Sequence, residues 1–248
     1  MQNYCKTIGA LAAASALVAG NAQAEVEYEI HTGYSSEYLF RGADLGQDLV
    51  EVGVDAAYEV NGFTISGGVW AAAFESSDSI YGSSNQIDSE VDLYTEVSKD
   101  LGFLTASVGY IYYWNLGQLG TDNQEVYFSA SRDLGFATAS LTYFWDVINS
   151  QNSNGIGGND GYTELALSRA FELNQCLTLN VGTNVGYLIE GGDFTAWTSK
   201  VSLDWGFAEN AKLSPFVALS IGLGESDGTI WYETANEFVA GSMLSVGF

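Results

Sequence analysis

The chain of 248 residues carries 31 aspartates and glutamates against seven lysines and arginines, a net charge of −24. Such acidity excludes nucleic acid as a partner, because phosphate binding needs a basic surface. Aromatics at 14%, 29 glycines and a single proline exclude acid-rich disorder and fit one large β domain.

The N-terminus reads as a secretory signal peptide over residues 1–24. MQNYCK supplies a lysine, TIGALAAASALVAG an apolar run of signal length, and Ala22-Gln23-Ala24 an A-x-A cleavage pattern. The run is short and alanine-rich for a membrane-spanning helix. The mature domain is expected over residues 25–248. Loss of Lys6 leaves six bases against 31 acids, a charge of −25. Cys176 is then the one cysteine left, so no internal disulfide is expected.

From there the dominant signal is alternation of period two. In 103–114, Leu104, Ala106, Val108, Tyr110, Tyr112 and Trp114 share an apolar face, and Phe103, Thr105, Ser107, Gly109, Ile111 and Tyr113 a mixed one. Residues 136–147 repeat the design. SKDLGFLTAS (98–107) matches SRDLGFATAS (131–140) at an offset of 33. Each is a strand end, a tight Asp-Leu-Gly turn and a strand start, as in an antiparallel meander. The pattern predicts twelve strands, near 25–37, 47–60, 62–74, 88–100, 102–114, 123–133, 135–147, 161–171, 176–188, 195–206, 212–223 and 237–248. Short turns are expected near 61, 101, 134, 173 and 209. Longer polar connections are expected at 38–46, 75–87, 115–122, 148–160, 189–194 and 224–236. Short turns on one side and longer loops on the other, with strands of about ten residues, mark a transmembrane β-barrel.

The faces differ in charge. Val50, Val52, Val54, Val91, Leu93, Leu165, Leu167, Val201, Leu203, Val217 and Leu219 fall on the apolar phase. Glu27, Glu29, Glu51, Asp55, Glu90, Asp92, Glu96, Glu125 and Glu164 fall on the other, with Lys200 as the mid-barrel base. The apolar phase is assigned to lipid and the acidic one to an aqueous lumen. Phe103, Tyr113, Phe136 and Phe144 are expected to narrow that lumen. Tyr110, Tyr112, Trp114, Tyr143 and Trp145 form the expected aromatic girdle at the membrane interface. Lys99, Arg132, Arg169 and Lys212 sit beside short turns; those on the apolar phase are at its edge, where a long side chain snorkels to headgroups. Phe248 ends the last strand on the apolar phase, like the terminal aromatic by which outer-membrane barrels are recognised by their assembly machinery.

TGYSSEYLFRGADLGQ (32–47), followed by GVDAAYEVNGFTISGGVW (53–70), resembles the start of the TorF-type porin family of bacterial outer-membrane proteins. Ser36, Tyr38, Phe40, Arg41 and Gly42 match its S-x-Y-x-F-R-G stretch position by position. The resemblance covers residues 28–72 and implies a fold and an outer-membrane location more firmly than a substrate. Arg41 and Gly42 are expected at the first outer turn. There Arg41 either pins the loop to the rim or stands at a constriction, paired with Glu37, Asp44 or a lumenal carboxylate.

No catalytic constellation is expected. His31, the only histidine, has no nucleophile placed beside it. NGIGGNDG (154–161) is a single copy and reads as a loop. Asp78, Asp88, Asp122, Asp160, Asp193, Glu225 and Asp227 suit loose divalent binding at most, so no metal site or cofactor is expected. The reading is a twelve-stranded outer-membrane barrel that passes small solutes, preferring cations, with lipid and lipopolysaccharide around it. The alternative is a non-conducting structural or adhesive barrel.

Overall fold

A computed structural model describes residues 26–76, 87–116, 122–147, 161–189, 191–224, 234 and 236–248. The strands are β1 (Glu27–Phe40), β2 (Ala43–Val60), β3 (Phe63–Ser76), β4 (Ile87–Asp100), β5 (Thr105–Asn115) and β6 (Asn123–Asp133). They continue as β7 (Thr138–Asp146), β8 (Tyr162–Asn174), β9 (Leu177–Leu188), β10 (Asp193–Gly206), β11 (Ala211–Gly222) and β12 (Glu237–Gly247). Each pairs antiparallel with its neighbours in sequence, and β1 pairs with β12 to close the barrel. Closure leaves no strand edge, so the wall satisfies its own backbone groups.

The period-two pattern gives the wall two unlike surfaces. Val181, Val201 and Val217 form one outward row across β9, β10 and β11; the adjacent inward row is Gly182, Lys200 and Ala218. Outward Val50, Val52, Leu141, Leu165 and Leu219 are about half exposed. An apolar exterior this continuous needs lipid rather than water against it. The only cluster of buried apolar side chains among the described residues lies inside the barrel: Leu49, Ala72 and Phe74, packed with Tyr38 and Trp70.

The internal repeat is explained by its turns. Gly102 N–H donates to Asp100 Oδ1 and Gly135 N–H to Asp133 Oδ1, each at 2.7 Å. Both glycines have positive φ, 83° and 85°, where a side chain is disfavoured.

Two expectations need correction. The connection expected at 38–46 is no loop. Pairing resumes after a bulge, with Leu39 against Asp44 and Phe40 against Ala43, so only Arg41 and Gly42 lie between β1 and β2. Phe103 and Phe136 do not face the lumen. They sit in four-residue turns before Thr105 and Thr138 start the next strands, each 62% exposed. Residues 1–24, expected to be a signal peptide, the 154–160 stretch, and Asp78, Asp160, Glu225 and Asp227 lie outside the described residues.

The lipid-facing assignment makes a mid-wall test. Val201→Lys is expected to lower folding stability in phospholipid vesicles by about 2–4 kcal/mol. Ser202→Lys, one step along and facing inward, is expected to cost much less. Urea titration followed by tryptophan fluorescence reads both.

Candidate functional site

The β1–β2 hairpin is longer than the wall it belongs to. Pairing of β1 with β12 stops at Ser35 against Gly241, and pairing of β2 with β3 stops at Gly46 against Ser76. Two irregularities bend the freed segment. One is the register shift at Tyr38/Leu39; the other lies between Gln47 and Val50, where Asp48 takes φ 52°. Asp44 Oδ1 accepts from Gly46 N–H at 2.9 Å and tightens the bend. The hairpin therefore folds inward. Its tip crosses the lumen to the opposite wall, with Phe40 edge-on to Tyr113 of β5 and Arg41 against β6, β7 and β8.

Arg41 is the latch. Its Nη1 and Nη2 donate to Glu125 Oε1 and Oε2 at 2.8 and 2.7 Å, a bidentate pair. Both partners are buried, with side chains 6% and 1% exposed. The guanidinium lies 4.4–4.8 Å from the ring centroids of Phe40, Phe144 and Tyr162. Tyr113 Oη donates to Glu125 Oε2 at 3.0 Å. Burial disfavours a lone charged guanidinium, and the facing Glu125 carboxylate offsets that cost.

The other lumenal acids are held by aromatic donors. Tyr38 Oη donates to Glu90 at 2.9 Å, Tyr127 Oη to Glu96 at 2.9 Å and Trp70 Nε1 to Glu51 at 2.5 Å. Tyr94 Oη donates to Asp55, which also meets His31 Nε2 at 3.2 Å. Two of these pairs share a construction: Asp55, Gly68 and Tyr94 stand in one inward row across β2, β3 and β4. Glu96, Gly109 and Tyr127 do the same across β4, β5 and β6. The tyrosine lies over the glycine to reach the acid beyond it. A Cβ on Gly109 would stand 2.1 Å from the Tyr127 ring.

Inward residues of the opposite wall are mostly small and polar, and beside them lies a cavity of about 500 Å³. Tyr38, Leu39 and Leu49 of the hairpin line it, with Glu51 and Trp70 on one flank and Lys200 and Phe216 on another.

Of the acids read as lumenal, Glu29, Glu51, Asp55, Glu90, Asp92, Glu96, Glu125 and Glu164 lie on the inward rows. Glu27 shares their phase but is exposed at the barrel end. Glu29 faces Lys212 at 3.7 Å and Glu164 accepts from Asn184 at 3.0 Å. Tyr110, Tyr112, Trp114, Tyr143 and Trp145 face outward toward the end with the longer connections, where Tyr110 and Tyr112 donate to Gln124 and Asp122. Phe248 is at the other end, 71% exposed. Asp88 is buried and faces inward. No group that would hold a metal ion occurs among the described residues. Sequence reasoning missed Tyr94, Tyr127 and Tyr162. For Tyr94 and Tyr127 the signal is an aromatic on the charged phase, opposite a glycine once the register is known.

A family model described as "Bacterial protein of unknown function (Gcw_chp)" matches residues 19–215. The chain belongs to this family. No curated protein matches it. Among solved structures, the Gcw_chp chain is similar to the COG4313 outer membrane channel from Pseudomonas putida F1. That match has 11% identity over 93% of this chain and 97% of the other, with a TM-score of 0.58. It is also similar to the KdgM porin (11% identity, 89% and 99%, TM-score 0.54) and the NanC porin (12%, 88% and 98%, 0.53). At such identities the likeness is one of fold: a closed antiparallel barrel of the outer-membrane kind.

Two variants test the site. Arg41→Met strands a buried carboxylate and is expected to destabilise the barrel by about 3–5 kcal/mol in vesicle unfolding. Adding Glu125→Gln removes the stranded charge, so the double variant is expected to be more stable than Arg41→Met alone. Gly109→Ala displaces Tyr127 from Glu96 and is expected to cost about 1–3 kcal/mol by the same measurement.

Proposed function

We propose that this Gcw_chp protein is an outer-membrane channel for passive diffusion of small solutes, with a preference for cations. The carrying observation is the wall's polarity: an apolar exterior around a lumen where carboxylates outnumber bases. A lumen of that sign concentrates cations and repels anions. The likeness of fold to an outer membrane channel and to porins supports the reading. So does the resemblance of Ser36–Gly42 to the TorF-type porin family. In this reading the latched hairpin is the constriction, and Arg41 both pins it and sets one positive charge against the acidic wall. Surrounding lipid and lipopolysaccharide, and delivery by the barrel-assembly machinery after signal-peptide removal, belong to the same proposal.

A non-conducting structural or adhesive barrel is the second reading. The observation in its favour is the hairpin itself, which fills part of the lumen and is held there by a buried ion pair.

Planar-bilayer recording separates the two. The purified protein is expected to give single-channel steps, with a reversal potential of cation sign under a KCl gradient. Arg41→Met, with its hairpin unpinned, is expected to give severalfold larger steps. Absence of steps from both proteins overturns the channel reading. Steps with anion preference overturn the proposed selectivity.

A further inference from the structure

We propose that the cavity beneath the hairpin binds a small zwitterion of the amino-acid class, with Lys200 taking its carboxylate and Glu51 its ammonium group. The inference rests on the channel reading for the route by which solute arrives.

The basis is a pair of opposite charges that line one cavity without meeting. The other inward bases near the lumen are engaged: Arg41 with Glu125 and Lys212 with Glu29. Lys200 forms no ion pair among the described residues. Its Nζ lies 4.0 Å from the Phe216 ring centroid, which steadies the side chain from one side. An ammonium has three donors, and an aromatic face leaves donors free for an anionic group. Glu51 and Asp204 are the carboxylates whose charge reaches Lys200, yet neither pairs with it. Glu51 stands on β2 and Lys200 on β10, with β1, β12 and β11 between them in the wall. Glu51 Oε2 takes the Trp70 indole N–H at 2.5 Å, which fixes the carboxylate. Among the described residues no side chain donates to Oε1.

The remaining lining suits the middle of such a ligand. Ser168, Asn184, Thr198 and Ser202 supply hydroxyl and amide groups. Asn184 gives its N–H to Glu164, which leaves its carbonyl oxygen as an acceptor. A volume of about 500 Å³ falls within the usual size of small-molecule sites. A simple anion gains from Lys200 but is repelled by Glu51; a simple cation meets the reverse. A neutral solute uses neither. A molecule with both charges uses both.

Equilibrium dialysis of the detergent-folded protein at low salt tests this with three solutes of one shape. Glutamine carries both charges, glutaramate lacks the amino group, and 4-aminobutanamide lacks the carboxylate. Glutamine is expected to bind at least about tenfold tighter than either, one charge-assisted contact separating each pair. Lys200→Met is expected to abolish its advantage over 4-aminobutanamide, and Glu51→Gln its advantage over glutaramate. Equal binding of the three solutes, or no binding, overturns the proposal even if neither variant folds. Recording the same preparation in bilayers keeps the two readings apart. Glutamine-selective binding without conductance supports the site and removes the channel; conductance without selective binding does the opposite.

Discussion

The structure depends on one constraint: a strand whose two faces meet different solvents must still pair every backbone N–H and C=O inside the wall. Twelve antiparallel strands meet it by closing β12 onto β1. Once the backbone is satisfied around the ring, side chains alone decide what each surface touches. The outward rows can be apolar without a hydrophobic core behind them. The inward rows can carry acids, because the lumen rather than lipid receives them.

Those acids set the second problem, since bases are too few to pair with them. The lumen uses phenol and indole groups instead. A hydrogen bond to a carboxylate contributes more than a neutral one, about 1.5–3 kcal/mol. Tyr38, Tyr94, Tyr113, Tyr127 and Trp70 each supply one. The cost is space. A tyrosine reaches an acid two strands away only by lying flat over the strand between, so Gly68 and Gly109 stand where they do. Glycine on the inward phase is thus part of the charge chemistry. Arg41 is the exception among these donors, because it brings a full positive charge across the barrel rather than around it.

The number of strands and the side each residue faces were legible from alternation, because register in a sheet changes the face of every side chain at once. Two kinds of feature were not. Bulges insert residues that break the phase, so residues 38–46 read as a polar loop when all but Arg41 and Gly42 belong to β1 and β2. Phe103 and Phe136 kept the phase of the strands they precede, although the Asp-Gly turn bond places them outside the ladder. At the site, an arginine flanked by aromatics and glycine singled itself out in the sequence. Its partner did not: Glu125 lies 84 residues away, and only the inward fold of the hairpin brings the two together. The cavity was equally illegible, since its two charges belong to strands four apart in the ring.

The inward hairpin has a mechanical consequence. Hydrogen bonds around a cylinder resist stretching of its circumference but oppose flattening into an ellipse only weakly. Arg41 ties the end of β1 to β6 as a spoke ties rim to rim. One mouth of this barrel is therefore braced against ovalisation by lateral pressure, while among the described residues no such spoke spans the mouth with the short turns.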